Sequence, residues 1–283
     1  MSGPPQLDFL IIGAPKCGTT SLCHYLSQHP QVVMSEPKET HFFCDDRLYA
    51  QGPQQYRRFF QNKPGAMLIG EATPYYSLVE TFPQVLSRVR DWYKSLRLIM
   101  MVRHPLDRLE SYYSQELHNG WEIPDFARCL RERSHYLDGS RYARAIDAWA
   151  GVYGLDNVLI LFLEDMRIDW TSSLEAALKF LGLDPIWRPS DARIANERSG
   201  HLQDTVGMRW LRRAPGFRQL EQHRHWIPQV IRSQFRRVLR HPVPQRATWD
   251  EELRSWATGV LRDDARRLLS LAGRDLDFWA MPD

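Results

Sequence analysis

The sequence predicts an α/β fold in which a parallel β-sheet is flanked by helices and followed by a helical C-terminal region. Short apolar runs alternate with segments of helical periodicity, and this alternation is typical of right-handed βαβ units. A glycine-bounded turn joins the first apolar run to the first helical segment. We predict one domain over residues 1–283, with an α/β core over 1–183 and loops and helices over 184–283.

Four apolar runs are predicted as strands because they carry few charges, as strands covered on both faces do. They are Leu7–Gly13, Met67–Ala72, Leu96–Val102 and Val158–Leu163. The predicted helices between them are Thr19–Ser27, Thr81–Tyr93, Pro105–His118 and Arg141–Tyr153. Ligands of parallel sheets bind at the carboxyl ends of the strands, so functional residues are expected just after these runs.

Capping signals predict two helices nearer the C-terminus. Ser172 and Glu175 have the spacing of a capping box ahead of an apolar segment, and Gly182 follows that segment as a stop signal. Thr248 and Glu251 repeat the same spacing at the start of a long terminal helix.

The turn after the first predicted strand has the features of a phosphate-binding loop. Gly13 and Gly18 have the spacing of the Walker A pattern, in which backbone amides and a helix N-terminus surround a phosphate. Thr19 stands where that pattern has its lysine, and Lys16 lies inside the turn instead. The sequence therefore predicts a P-loop-like cradle that suits one phosphate better than the β- and γ-phosphates of ATP.

Two further segments complete a set of three motifs. A predicted strand ends in Arg103, and Ser111 follows eight residues later. Residues 38–43 read Lys-Glu-Thr-His-Phe-Phe. Arginine suits a forked contact to phosphate oxygens.

Together these motifs resemble those of sulfotransferases that use 3′-phosphoadenosine 5′-phosphosulfate (PAPS). Residues 15–22 resemble the family's 5′-phosphosulfate loop, Arg103 with Ser111 resembles its 3′-phosphate motif, and residues 38–43 resemble the E-x-H-F-F signature of the heparan-sulfate-type (N-/3-O-sulfotransferase-like) branch. The resemblance extends from about residue 7 to residue 183. It implies a soluble, bacterial-type enzyme that moves a sulfuryl group from PAPS to a hydroxyl and leaves adenosine 3′,5′-bisphosphate (PAP).

Donor-binding roles follow from this resemblance. Lys16 is the cation expected at the bridging oxygen, where charge develops as the leaving phosphate departs. Arg103 and Ser111 are expected to hold the 3′-phosphate, and the alternative for Arg103 is a helix-capping role in which it pairs with Asp107 or Glu110. Arg108 is expected to be a surface charge rather than a ligand. The residues expected to line the cradle around the 5′-phosphate are Lys16, Cys17, Gly18, Thr19, Thr20 and Ser21.

Glu39 is predicted as the general base for the acceptor hydroxyl. It follows Lys38 and precedes His41 and two phenylalanines, so it is expected to be partly desolvated beside cations. His41 is predicted either to orient Glu39 or to contact the sulfuryl group. The alternative for His41 is a structural ring that packs against Phe42.

Acceptor-binding residues are predicted from the segment Gly70–Tyr76. Related heparan-type enzymes often carry the pattern E-K-T-P here, whereas Ala72 follows Glu71 in this chain. This departure leaves the second catalytic cation either absent or supplied by another residue, and it weakens a glycosaminoglycan assignment. Glu71 is expected to act on the acceptor or to anchor the turn. The aromatic side chains expected to floor an acceptor cleft, or else to lie in the core, include Phe42, Tyr75 and Tyr76.

Two later segments complete the expected donor site. Tyr142 lies in a Gly-Ser-Arg-Tyr run that resembles the family's G-x-Y segment, whose tyrosine reaches the nucleotide. Arg198 and Ser199 lie in a segment that resembles a late loop closing on the 3′-phosphate. Tyr142 as a core residue of its helix is the alternative for the first of these.

Composition limits the partners and the compartment. A net charge of +3 does not indicate a nucleic-acid partner, although arginines concentrate between residues 188 and 246, either on a solvated helical face or over an anionic ligand. The four cysteines lack metal-ligand spacing and are expected to be free thiols. No apolar run reaches the roughly 18 residues of a membrane span, and no signal peptide precedes the first strand. A cytoplasmic enzyme that needs no metal is therefore expected, with its oligomeric state open.

Two other functions compete with sulfuryl transfer. A P-loop nucleotide kinase would use the same cradle, but the Walker lysine is missing and no apolar strand ends in a Walker B aspartate. A non-catalytic module that binds PAP would keep the cradle and dispense with the base. The presence of Lys16 and Glu39 argues against the module.

Overall fold

A computed structural model of the chain describes residues 3–61, 63–119, 122–192, 202–204, 240–242 and 247–281. Within these residues, five strands form one parallel sheet in the order β2-β3-β1-β4-β5. The strands are β1 (Phe9–Gly13), β2 (Val32–Met34), β3 (Leu68–Ala72), β4 (Arg97–Val102) and β5 (Val158–Phe162). β6 (Leu202–Asp204) and β7 (Arg240–Pro242) form a separate antiparallel pair. The predicted α/β class is confirmed.

Helices flank the sheet and account for most of the connections. They are α1 (Thr19–Gln28), α2 (Asp46–Tyr49), α3 (Gly52–Arg57), α4 (Gln84–Trp92), α5 (Pro105–His118), α6 (Phe126–Glu132), α7 (Ser134–Asp138), α8 (Tyr142–Tyr153), α9 (Leu163–Ile168), α10 (Trp170–Leu181) and α11 (Glu251–Leu271). The four helices predicted between strands are present as α1, α4, α5 and α8, with ends that match or shift by one to three residues. In the described part of the chain, no helix combines the length and the apolar character that a membrane crossing requires.

The centre of the sheet is buried on both faces, which explains why its strands read as continuous apolar runs. Every residue of β1 is buried, as are the last five of β4. Phe9 of β1 pairs with Gly70 of β3. A Cβ atom on Gly70 would lie 2.1 Å from Cζ of Phe9, so the absence of a side chain at residue 70 is what lets the Phe9 ring pack against β3.

The strand β2 was not predicted. It is only three residues long, too short for a periodic signal to separate it from a loop. Pairing with β3 fixes it, with Val32 opposite Leu68 and Met34 opposite Gly70. Its position at the sheet edge therefore depends on a tertiary contact that local sequence does not contain.

Both predicted capping residues are wrong by two or three positions. Asp169, not Ser172, caps α10, and its side chain accepts a hydrogen bond from the backbone N–H of Thr171. Asp250, not Thr248, caps α11 and accepts from the N–H of Leu253. A carboxylate beside the positive end of a helix dipole is a strong cap, which explains why each aspartate sets the helix start. Gly182 ends α10 in the left-handed conformation, as predicted.

Candidate active site

The loop between β1 and α1 forms an open anion cradle. Gly18 immediately precedes α1 with φ 90°, and no side chain caps the first turn of that helix or places an acid there. The first amides of α1 are therefore available to a ligand, and the helix dipole favours a negative one. A Cβ atom on Gly18 would lie 2.7 Å from Cδ1 of Leu163. The positive φ and the close leucine together explain why glycine occupies this position.

Lys16 supplies a cation from within the cradle. Its backbone has φ 73°, unusual for a residue with a side chain, and its Nζ donates to Oε1 of Gln115 on α5 at 2.8 Å. Burial lowers the pKa of the Lys16 ammonium, and the nearby positive charges of Arg103 and Arg108 lower it further. A bound anion would favour the charged ammonium and so raise the pKa of Lys16 again.

Lys38 also reaches the cradle, and sequence reasoning gave it no role. Its Nζ donates to Oγ1 of Thr20 at 3.1 Å and to Oγ1 of Thr19 at 3.3 Å. The same ammonium donates to Oε1 of Glu39 at 3.0 Å. One side chain therefore joins the cradle to the predicted base. Its place beside Glu39 in the Lys-Glu-Thr-His run was the only sequence signal available.

Glu39 faces the cradle from the segment between β2 and α2. Its side chain is 36% exposed, and its Oε2 lies 3.7 Å from Nε2 of His41. The His41 ring lies 5.2 Å from the half-buried ring of Tyr75, measured between centroids. The structure therefore brings Glu39, His41 and Tyr75 together beside the cradle.

The Glu39 segment is attached to the core through the end of β3. The N–H of Thr40 donates to Oγ1 of Thr73 at 3.1 Å, and Oγ1 of Thr40 donates to Oε1 of Glu71 at 2.7 Å. Glu71 is fully buried and also accepts from Thr73, Tyr76 and Tyr56. Both carboxylate oxygens of Glu71 accept from buried hydroxyls, which matches the expected anchoring of the turn and leaves none of its oxygens facing an acceptor.

The other aromatic candidates for the acceptor cleft lie in the core. Phe42 has no exposed surface and Tyr76 has 1%. Phe42 packs on Phe43, Tyr56 and Trp92 in an aromatic cluster. This geometry matches the core alternative, and these two rings are not part of the site that we propose.

Arg103 lies at the end of β4, beside the cradle. It is 4% exposed, its Nη1 lies 3.4 Å from the carbonyl oxygen of Lys16, and its Nη2 donates to Oδ2 of Asp107 at 3.2 Å. Its Nε is buried without a hydrogen-bond partner in the described structure. Ser111 lies on α5, partly exposed. The bond to Asp107 matches the helix-capping alternative, whereas a buried donor without a partner among the described residues suits an anionic ligand.

Arg108 was predicted as a surface charge, and this is wrong. Its side chain is fully buried, where Nε donates to the carbonyl oxygen of Pro15 at 3.2 Å and Nη1 to that of Tyr136 at 2.5 Å. The guanidinium also stacks on the Tyr112 ring at 4.5 Å. A Cβ atom on Gly139 would lie 2.4 Å from Nη2 of Arg108, so a glycine at this position leaves room for the guanidinium. Arg108 therefore supports the cradle from below and adds positive charge to it.

Beneath the cradle, Tyr142 and Cys17 contact each other. Oη of Tyr142 lies 3.6 Å from Sγ of Cys17, and both side chains are fully buried. Burial raises the pKa of the Cys17 thiol to about 11. The prediction that all four cysteines are free is confirmed. Arg198 and Ser199 lie outside the described residues, so their predicted roles stay predictions.

The fold and this site define an α/β protein with a P-loop-like anion cradle that faces a carboxylate. Residues 6–203 match the family model described as the sulfotransferase domain. Because this match covers more than half of the chain, the chain belongs to the sulfotransferase domain family.

Comparisons with individual proteins agree with this assignment. The chain is 30% identical over 227 residues to mouse heparan sulfate glucosamine 3-O-sulfotransferase 3B1, covering 76% of this chain and 54% of that protein. It is 35% identical over 195 residues to the mouse 3-O-sulfotransferase 5, covering 62% and 53%. The chain thus spans about half the length of these relatives. A crystal structure of a sulfotransferase from Alicyclobacillus acidocaldarius shares the fold, with a TM-score of 0.69, 23% identity and coverage of 97% and 99%.

Proposed function

We propose that this protein transfers a sulfuryl group from PAPS to a hydroxyl of a small molecule or a glycan. The observation that carries the proposal is the contact of Lys38 with both the cradle hydroxyls and Glu39. In-line transfer needs a cradle for the leaving phosphate and a base on the acceptor side of sulfur. A single ammonium that contacts both groups supports the proposal, because it keeps the Glu39 carboxylate beside the cradle, where a base would act.

The residues around the cradle fit a donor with two phosphate sites. The uncapped first turn of α1 and Lys16 suit the 5′-phosphate end. Arg103, whose buried Nε has no partner among the described residues, and Ser111, partly exposed on α5, suit the 3′-phosphate. ATP has no 3′-phosphate, and Thr19 stands where a Walker lysine would be.

The proposed reaction is a displacement at sulfur. The acceptor oxygen forms a bond to sulfur while the bond from sulfur to the bridging oxygen breaks, and its electron pair remains on the 5′-phosphate of PAP. The acceptor proton passes to the carboxylate of Glu39. Lys16 stabilises the charge that develops on the bridging oxygen. His41, 3.7 Å from Glu39, orients that carboxylate.

The acceptor is proposed only as a hydroxyl compound. The curated relatives are named for glucosamine in heparan sulfate, which supports a glycan. The rings of His41 and Tyr75 beside Glu39 suit the apolar face of a sugar or an aromatic alcohol.

Nucleotide binding is the first test of the donor. PAP should raise the melting temperature of the protein because it fills both phosphate sites, and ATP should raise it far less. Equal shifts from the two nucleotides would contradict the PAPS assignment and favour the kinase alternative.

Glu39→Gln tests the base and separates an enzyme from a binding module. The amide keeps the size of the side chain but cannot take the proton, so the rate of PAP release from PAPS, with water or a supplied alcohol as acceptor, should fall roughly 10²–10⁴-fold. The affinity for PAP should stay unchanged. A wild-type protein that binds PAP but never consumes PAPS would favour the module.

A further inference from the structure

We infer that Lys38 is a second catalytic cation, which contacts the non-bridging oxygens of the sulfuryl group while the group is in transfer. This inference rests on the proposed function. It assigns to Lys38 the charge that the sequence lacks at Ala72, where related enzymes often have a lysine.

The Lys38 ammonium contacts both the cradle and the predicted base. A group that moves in line lies between the cradle of the leaving phosphate and the base of the acceptor. The Nζ atom lies 3.1 Å from Oγ1 of Thr20 in the cradle and 3.0 Å from Oε1 of Glu39. Within the described structure, Lys38 is the side chain whose ammonium contacts both groups that flank the transferring sulfur.

The positive charge around the cradle also supports a role for Lys38 in catalysis. The Lys38 side chain is only 22% exposed and lies at the positive end of the α1 dipole, where a cation is unfavourable. Lys16 and the two buried arginines, Arg103 and Arg108, add positive charge nearby. Glu39, and Asp107 paired with Arg103, offset only part of this charge. A concentration of cations around one cradle suits a ligand that is more anionic than a single phosphate.

The hydrogen bonds from Lys38 also set the direction of the Thr19 and Thr20 hydroxyls. An ammonium group only donates, so the Thr19 and Thr20 hydroxyls accept from Lys38. Each hydroxyl proton is then left for another acceptor, such as a ligand oxygen. Lys38 therefore orders the hydroxyl donors of the cradle in addition to supplying its own charge.

The backbone around Lys38 is held beside the end of β3, at Ala72. Ala72 ends β3 and is fully buried. The next residue, Thr73, accepts from the N–H of Thr40 at 3.1 Å, so the Lys38 segment runs alongside the end of β3. A lysine two residues before Thr40 thus enters the site from the neighbouring segment.

Lys38→Met is the direct test. Lys94→Met is the matched control, because Lys94 is exposed and, among the described residues, donates to the carbonyl of Arg90. Three quantities are measured by calorimetry and product assay: PAP affinity, the gain in PAP affinity caused by orthovanadate, and PAP release from PAPS. Vanadate in five-coordinate form has the shape of the group in transfer.

If Lys38 acts on the sulfuryl group, Lys38→Met lowers turnover about 100-fold or more and abolishes the vanadate gain, while PAP affinity changes by less than about five-fold. Lys38→Arg, which keeps a charge, should retain part of both. Lys94→Met should leave all three quantities unchanged.

Equal losses in PAP affinity and turnover would overturn the inference, because Lys38 would then only organise the cradle. Retained turnover in Lys38→Met would overturn it as well. If Lys38→Met does not fold, Lys38→Gln, which keeps a hydrogen-bond donor without the charge, replaces it with the same expectations. A wild-type protein without PAPS turnover would instead reject the proposed function itself, and this inference with it.

Discussion

Lys16 in the cradle and Gln115 on α5 are joined by a hydrogen bond of 2.8 Å from Nζ to Oε1. The amide of Gln115 is oriented in turn, since its Nε2 donates to Oδ1 of Asn119 at 2.9 Å. The loop cation therefore donates to a neutral partner 99 positions away in the chain. A phosphate oxygen is a stronger partner for the ammonium than an amide oxygen.

Gln115→Leu should raise the affinity for PAP. Lys16 must give up the amide to contact the leaving phosphate, and removing the amide removes that competition. A part-buried bond of this kind is worth about 1 kcal/mol, or roughly five-fold in the dissociation constant. Calorimetric titration with PAP measures the change, and Asn119→Ala, which only frees the amide, should have a smaller effect. A weaker complex in Gln115→Leu would show that Gln115 helps to bind the nucleotide.

The affinity for PAP should fall at alkaline pH because of Lys16. Burial, followed by the charges of Arg103 and Arg108, lowers the pKa of this lysine, and a bound phosphate favours the ammonium and raises that pKa again. Affinity is therefore complete below the lowered pKa and decreases as pH rises through it. The Cys17 thiol, whose pKa burial raises to about 11, ionises at higher pH than Lys16.

Titrations from about pH 7.5 to about pH 10 would measure this effect. Proton uptake on binding should appear over the same range, and Lys16→Met should remove most of the pH dependence. A dependence of the same size in Lys16→Met would assign it to another group.

Arg103→Ala should weaken PAP much more than adenosine 5′-phosphosulfate, which has no 3′-phosphate. The loss for PAP should be about 2–3 kcal/mol, the range for a desolvated charged contact. The bond from Arg103 to the Lys16 carbonyl is long, at 3.4 Å, so the cradle itself should change little. Competition binding with the two ligands makes the comparison, and equal losses would mean that Arg103 only supports the loop.

Glu71→Ala should destabilise the fold. Four buried hydroxyl groups, from Thr40, Thr73, Tyr56 and Tyr76, donate to this carboxylate. Burial, and then the charge of Glu71, raises the pKa of Tyr56, which keeps its hydroxyl a donor.

Losing the shared acceptor should cost about 3–5 kcal/mol in the free energy of unfolding, as for other buried charges whose partners are left behind. Urea denaturation measures this quantity. Glu39→Ala is the matched control, since it removes a part-exposed carboxylate and should cost at most about 1 kcal/mol. Equal stabilities for the two variants would refute the anchoring role of Glu71.

Sequence patterns predicted four of the five strands of the parallel sheet, because buried strands leave a continuous apolar signal. They also located the cradle, whose glycine spacing and neighbouring strand are local features. They missed β2, which is defined by its pairing with β3. They assigned Arg108 to the surface because its acceptors, the carbonyls of Pro15 and Tyr136, lie 93 and 28 positions away.

The same limit applies to Lys38 and Glu71. The contacts of Lys38 with the cradle span 18 and 19 positions, and the hydroxyls around Glu71 come from three different segments. A charged residue is informative in sequence only when its partners are nearby along the chain. Which charges meet in this site depended on the sheet order, and sequence alone left that order open.

The attachment of Glu39 to the core has a consequence for how such a protein diversifies. Thr40 and Thr73 fix the carboxylate-bearing segment against the buried end of β3, so its placement does not depend on surface loops. Loops that select the acceptor are then free to change in length and composition between descendants or in a directed-evolution library. An engineer seeking a new acceptor should keep Tyr56 and Tyr76, because both donate to Glu71 although neither reaches the surface. The exposed loops around the site are the positions to randomise.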